Sequence, residues 1–232
     1  MKQKKNMAEK ISKPNLKPID SIIGITGKNQ LKKYLTTVFN SVGFEYDNEG
    51  VAFAKYKGFI DNKEVKIIIS ILKRTQYKGL HPDHWVKYRT FQGIRMHVQI
   101  KNDNLTRFIV SKKTTGFFLK AITKAVMKRK GYKRIKTPTV NFVYPEVWSV
   151  DKKFGDAFVK NKEINHLILK LTEKKTKTLS WGIIIEPNSF NYNATFENLD
   201  DFDQEKLKNR LQNIVKMMQL SKNLSHSNIT EY

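Results

Sequence analysis

Within GLHPDHWVKY, the imidazoles of His81 and His84 bracket the carboxylate of Asp83, and His97 follows further along the chain. Imidazole and carboxylate are the ligand types that hold zinc and non-haem iron. An HxxH pair with Asp between is a loose pattern, and Pro82 marks a turn, where His and Asp serve local hydrogen bonds. The segment therefore reads as a loop anchored by Trp85, with no metal shared between His81 and His84. A second acidic set, Asp200, Asp201, Asp203 and Glu205, precedes a helical pattern. Acids at a helix start cap free N–H groups and suit the dipole, so this set reads as a helix start. The chain has no Cys, which excludes disulfides, thiolate metal sites and a Cys nucleophile. No Gly-rich phosphate loop, nucleophile elbow or HExxH zinc motif occurs. No cofactor or metal is expected.

A third set is Asp47 with Glu64-Val65-Lys66 downstream. An Asp followed by Glu-x-Lys on a strand resembles, over about forty residues, the metal-binding pattern of the PD-(D/E)xK nucleases. The resemblance implies a metal-dependent nuclease with Asp47, Glu64 and Lys66 at its centre. That family has a helix after the Glu-x-Lys strand, whereas here a loop and more strands are expected.

Charge is the most informative property. The chain carries 44 basic and 21 acidic residues, a formal charge of +23. Residues 1–65 hold 12 basic and 7 acidic residues, and residues 137–232 hold 13 and 12. Residues 66–136 hold 19 basic residues against 2 acidic ones, Asp83 and Asp103. Interleaved acids would make such lysines an ordinary solvated face. Without them the field repels itself, and an anionic partner is the simplest reason to keep it. The densest stretch is Phe118–Lys136, with eight Lys or Arg and no acid.

These groups need elements to position them. Residues 1–20 read as a flexible basic tail broken by Pro14 and Pro18. Lys28–Val42 has an apolar stripe at helical spacing and Gly43 as its stop. Strands follow at 51–58 and 65–72, joined by the DNKE turn, and residues 73–91 read as a loop. In QGIRMHVQIK, alternation turns Ile94, Met96, Val98 and Ile100 inward and Arg95, His97, Gln99 and Lys101 outward. KNDN is expected to make a hairpin to LTRFIVS, which carries Arg107.

A helix over Thr115–Lys130 should bury Phe118, Ile122, Ala125 and Val126, present Lys120, Lys124 and Lys128 on one outward face, and end at Gly131. Lys128, Arg129 and Lys130 in the last turn complement the helix dipole, but Lys133, Arg134 and Lys136 lie beyond it. Short strands at 140–143 and 147–150 come next. Helices follow from an Asp151 cap and over 162–173. LSWGIIIE and SFNYNATF form a hairpin about Pro187–Asn188, and a last helix covers 203–221.

Short turns between strands predict an α+β fold with a mainly antiparallel sheet and flanking helices, and the element order suggests two related halves. The expected divisions are a tail at 1–20, a basic α+β domain at 21–136 and a near-neutral α+β domain or second half at 137–232. The general character is that of a bacterial or phage protein. The start lacks an apolar run after its lysines and no run approaches a membrane span. A cytoplasmic, soluble chain without signal peptide or integral membrane association is therefore expected.

The leading functional expectation is a non-enzymatic protein that binds nucleic acid or another polyanion. Its surface would comprise Arg95, Lys101, Arg107, Lys120, Lys124, Lys128, Arg129, Lys133, Arg134 and Lys136. Interleaved aromatics (Tyr77, Trp85, Tyr88, Phe91, Phe108 and Tyr132) would suit base stacking, though no RNP motif, GXXG loop or zinc-finger spacing is present. The alternatives are an assembly protein that meets a protein partner through its C-terminal half, peripheral binding to anionic membrane by the basic helix with Phe117, Phe118 and Leu119, and the nuclease.

Overall fold

Alternation fixes the register of the central strands. Ile94, Met96, Val98 and Ile100 are fully buried, while Arg95 is exposed and His97 and Gln99 are half-buried. A one-residue slip would turn this whole apolar set to the other face. The computed structural model describes residues 25–47, 52–78, 86–101, 106–111, 117–137, 146–172, 178–197 and 199–227. Their elements run α1 (Ile25–Ser41), β1 (Phe44–Asp47), β2 (Ala54–Ile60), β3 (Lys63–Lys78), β4 (Val86–Lys101), β5 (Phe108–Ser111), α2 (Phe117–Arg129), β6 (Lys133–Ile135) and β7 (Glu146–Ser149). Then come α3 (Lys152–Lys160), α4 (Lys162–Thr172), β8 (Thr178–Glu186), β9 (Ser189–Phe196), a 3-10 turn (Leu199–Phe202) and α5 (Gln204–Ser227).

The strands form one nine-stranded antiparallel sheet in the order β1-β2-β3-β4-β9-β8-β5-β7-β6. With its flanking helices the chain is α+β. Strands from both sides of residue 136 share the sheet, since β5 and β6 each pair with β7.

One face of the sheet carries the core. In register across it lie Tyr56, Ile67, Val98, Tyr192, Ile183, Val110, Val147 and Ile135, all buried. Four helices cover this face. From α1, Phe39 stacks on Tyr56 at 4.1 Å; from α3, Phe158 meets Phe108 at 4.3 Å. The Tyr192 hydroxyl reaches the Leu171 carbonyl of α4 at 3.5 Å. Arg210 of α5 lies 4.3 Å over the Phe196 ring.

Local chemistry ends several elements where expected. Gly43 and Gly131 adopt φ of +86° and +80° just past α1 and α2, a conformation that glycine reaches without a Cβ clash. At α2 the Tyr132 N–H donates to Met127 O and the Gly131 N–H to Lys128 O, so both orphan carbonyls are satisfied. Asp151 Oδ1 accepts from the Lys153 and Phe154 N–H groups at 2.8 and 3.2 Å, capping α3. The turn residues Asp61 and Asn62 both have positive φ, which suits a two-residue hairpin.

Three expectations are corrected. Residues 73–78 and 86–91 are not loop: they extend β3 and β4, paired from Lys73↔Phe91 to Lys78↔Val86. Thr75, Tyr77, Tyr88 and Thr90 are strand-favouring residues, and pairing holds them extended. Second, β5 is not the hairpin partner of β4. The neighbours of β4 are β3 and β9, while β5 pairs with β7 and β8. The eight-residue register of β9 offers β4 a longer apolar match than the four residues of β5. Third, α2 does not bury its expected stripe. Ile122 and Val126 are 60% and 45% exposed, and Ala125 is exposed too. Helical spacing creates an apolar side but does not supply a surface to cover it. The expected strand at 140–143 lies outside the described residues, and α5 runs on past residue 221 to Ser227.

Candidate polyanion-binding surface

The sheet face away from the helices holds Arg95, His97, Gln99 and Lys101 on β4. Opposite them on β3 are Ser70, Ile68 and Lys66, and on β9 Thr195, Asn193, Asn191 and Ser189. His97 Nδ1 lies 2.7 Å from Asn193 Oδ1. A carboxamide oxygen only accepts, so Nδ1–H is the donor in this contact. Arg95 and Lys101 are exposed and have no carboxylate partner among the described residues.

Charge on the neighbouring strands is compensated in part. Lys57 Nζ lies 2.8 Å from Asp47, and Lys66 Nζ lies 3.4 Å from Glu64. These two pairs neutralise Lys57 and Lys66 only; the far end of β3 carries Lys73, Arg74 and Lys78 with no acid.

The β8–β9 turn, at Pro187 and Asn188, divides two clefts. One, of about 180 Å³, is lined by Glu64, Lys66, Gln99, Lys101, Asn188 and Ser189. The other, of about 570 Å³, is lined by Arg107, Lys130, Tyr132, Glu186 and the turn residues Pro187 to Ser189. Burial pushes the Tyr132 phenol up from its ordinary value, Arg107 pulls it back and Glu186 adds to the rise. Tyr132 thus shares the lining of the larger cleft with a cation and a carboxylate.

From this cleft the cationic ridge continues along the chain. Lys124, Lys128, Arg129, Lys130, Lys133, Arg134 and Lys136 are all exposed, and none has a carboxylate partner among the described residues. Lys120 lies one turn before Lys124 in the same helix.

The expected residues are therefore not one patch. Lys101 and Arg107 flank the same turn. Arg134 belongs to the edge strand β6, five strand spacings or about 24 Å from β4. Successive residues of a strand alternate faces, so Lys133 and Arg134 point to opposite sides. No family model, curated protein or solved structure matches this chain. Any functional reading rests on the geometry.

The same register bears on the nuclease pattern. Asp47 is level with Lys55 and Ile68, whereas Glu64 is level with Phe59, four residues or about 14 Å along the strand direction and two strands away. Asp47 and Glu64 are each held by a lysine instead of converging. Among the described residues no three His, Asp or Glu side chains could hold a metal ion. His81, Asp83 and His84 lie outside the described residues. Among the described residues no helix is long and apolar enough to cross a membrane.

Two groups of residues escape a reading of the sequence. Lys130, Tyr132, Asn188 and Ser189 line one cleft only because the start of β6 and the β8–β9 turn lie at the same end of the strands. The basic residues of 73–91 read as a loop, although their Thr/Tyr alternation signals strands.

Proposed function

We propose that the chain binds nucleic acid through the cationic ridge from Lys124 to Lys136 and the clefts beside the β8–β9 turn. The observation that carries this reading is the run of seven exposed cations without a carboxylate partner among the described residues. A field of that kind repels itself in isolation and is relieved by phosphates, with release of condensed counterions. Arg107 and Lys101 extend the surface to the sheet, and Tyr132 supplies an aromatic edge at the larger cleft. Lysines outnumber arginines on the ridge, so phosphate contact dominates over bidentate base reading. Cytoplasmic placement agrees with this role.

The test is a titration of the full chain with random-sequence single- and double-stranded oligonucleotides at two salt concentrations. Lys124→Glu with Lys128→Glu should weaken binding by about tenfold or more. Lys160→Glu with Lys170→Glu, exposed on the helix layer, should change it little. Equal losses from both pairs would assign binding to net charge, and absence of binding at low salt would remove the proposal.

A further inference from the structure

The ladder between β3 and β4 is longer than the sheet that contains it. β2 pairs with β3 only up to Ala54↔Ile69, and β9 pairs with β4 only up to Ile94↔Phe196. Beyond those points the pairing of β3 with β4 continues to Lys78↔Val86. Residues 73–78 and 86–91 thus form a two-stranded ribbon with no third strand beside it among the described residues. It leaves the sheet at an irregularity: the register shifts between Leu72 and Lys73, opposite Gly93 and Phe91, so Gln92 is an extra residue. Such a bulge bends a strand pair and increases its twist. Six residues of each strand carry the ribbon about 17–20 Å past the sheet.

Its composition differs from that of the sheet. The twelve residues include Lys73, Arg74, Lys78, Lys87 and Arg89, and no Asp or Glu. Pairing puts Thr75 opposite Arg89 and Tyr77 opposite Lys87, while Arg74 faces Thr90 and Lys78 faces Val86. Strand alternation therefore distributes cations to both sides of the ribbon. A two-stranded ribbon outside a sheet is only marginally stable in water, so a surface that accepts it would stabilise it.

We propose that this ribbon is an arm that enters the major groove of B-form double-stranded DNA. The inference rests on the nucleic-acid reading above and names its substrate class. A major groove about 12 Å wide admits a two-stranded ribbon, and a ribbon whose twelve residues hold five cations and no acid suits the phosphates that border it. The A-form RNA major groove is too narrow and deep for it, and a single strand has no groove.

The experiment compares the full chain on duplex DNA, duplex RNA and single-stranded DNA of one length. Wild-type protein should favour duplex DNA. Arg74→Ala, Lys78→Ala, Lys87→Ala and Arg89→Ala together should weaken duplex DNA binding about tenfold or more, with the salt slope lower by about 0.9 for each phosphate left unneutralised. Single-stranded DNA should be affected at most about threefold. Gln76→Pro with Tyr88→Pro breaks the ladder while keeping every cation, and should also cost duplex binding. Circular dichroism and melting check that each variant keeps its core.

A proline variant that binds duplex like wild type, equal losses on all three polymers, or preference for RNA or single strands would overturn the arm and leave the ridge reading standing. Loss of duplex binding in Lys124→Glu/Lys128→Glu but not in the arm variants would do the same. No binding of wild type to any polymer would remove both.

Discussion

Arg210 is buried to 6% exposure in the helix layer, and its environment is built to hold it. Nη1 donates to the Asp201 carbonyl at 3.1 Å, Nη2 stands 3.5 Å from Asp201 Oδ1, and the guanidinium covers Phe196. Burial pushes the Asp201 carboxyl up, and Arg210 pulls it back. Arg210→Ala would strand that carboxylate in the core, and should cost about 3–5 kcal/mol in denaturant titrations. Tyr192 and Tyr56 make a pH prediction. Burial raises both phenols from 10.0 to about 12. The unfolded chain therefore loses these protons first. Stability is fully present below pH 10 and falls as pH rises towards 12, by about 2–3 kcal/mol for each phenol. Tyr192→Phe should remove its share of that decline, so its alkaline unfolding midpoint should lie above that of wild type.

At the scale of elements, close backbone approach decides what glycine does. A Cβ on Gly58 of β2 would stand 2.7 Å from the Gly43 carbonyl oxygen and 2.8 Å from the Phe44 ring. The carbonyl cannot move without opening the α1–β1 corner, so Gly58→Ala should cost about 1–3 kcal/mol, read as a lower melting temperature with unchanged far-UV signal. Elements also show where sequence reasoning succeeds and fails. The strand at 94–100, the hairpin about Pro187–Asn188 and the Asp151 cap are legible because alternation, turn chemistry and capping act within a few residues. The ribbon of residues 73–78 and 86–91 is not, because charged residues obscure its Thr/Tyr alternation. A β4–β5 hairpin is a local inference, defeated by β9, a partner nearly ninety residues away. The exposure of Ile122 and Val126 has the same origin, since a helix's own periodicity contains nothing about its neighbours.

Across the whole molecule the helices cover one sheet face, and the cations of the middle third lie on the far end of β3, on β4, at the clefts beside β8–β9 and along the end of α2. Lys101→Gln and Arg107→Gln, on either side of the β8–β9 turn, should each lower the log–log salt slope of duplex binding by about 0.9 if each meets one phosphate. The double variant should lower it by about twice that, and unchanged slopes would place both residues off the path. The sequence by itself determined the α+β class, the burial register of β4, most helix ends and the concentration of charge in residues 66–136. These follow from interactions between residues close in the chain, or from counting. Tertiary structure alone decided that Asp47 of β1 neutralises Lys57 of β2. It also decided that Lys101 and Arg107 flank one turn, that Asp47 and Glu64 stay apart, and that β3 and β4 outrun their neighbours into a ribbon. Each depends on which strands become neighbours, and strand order is set by burying the summed apolar face of nine strands and four helices, a quantity no local window contains.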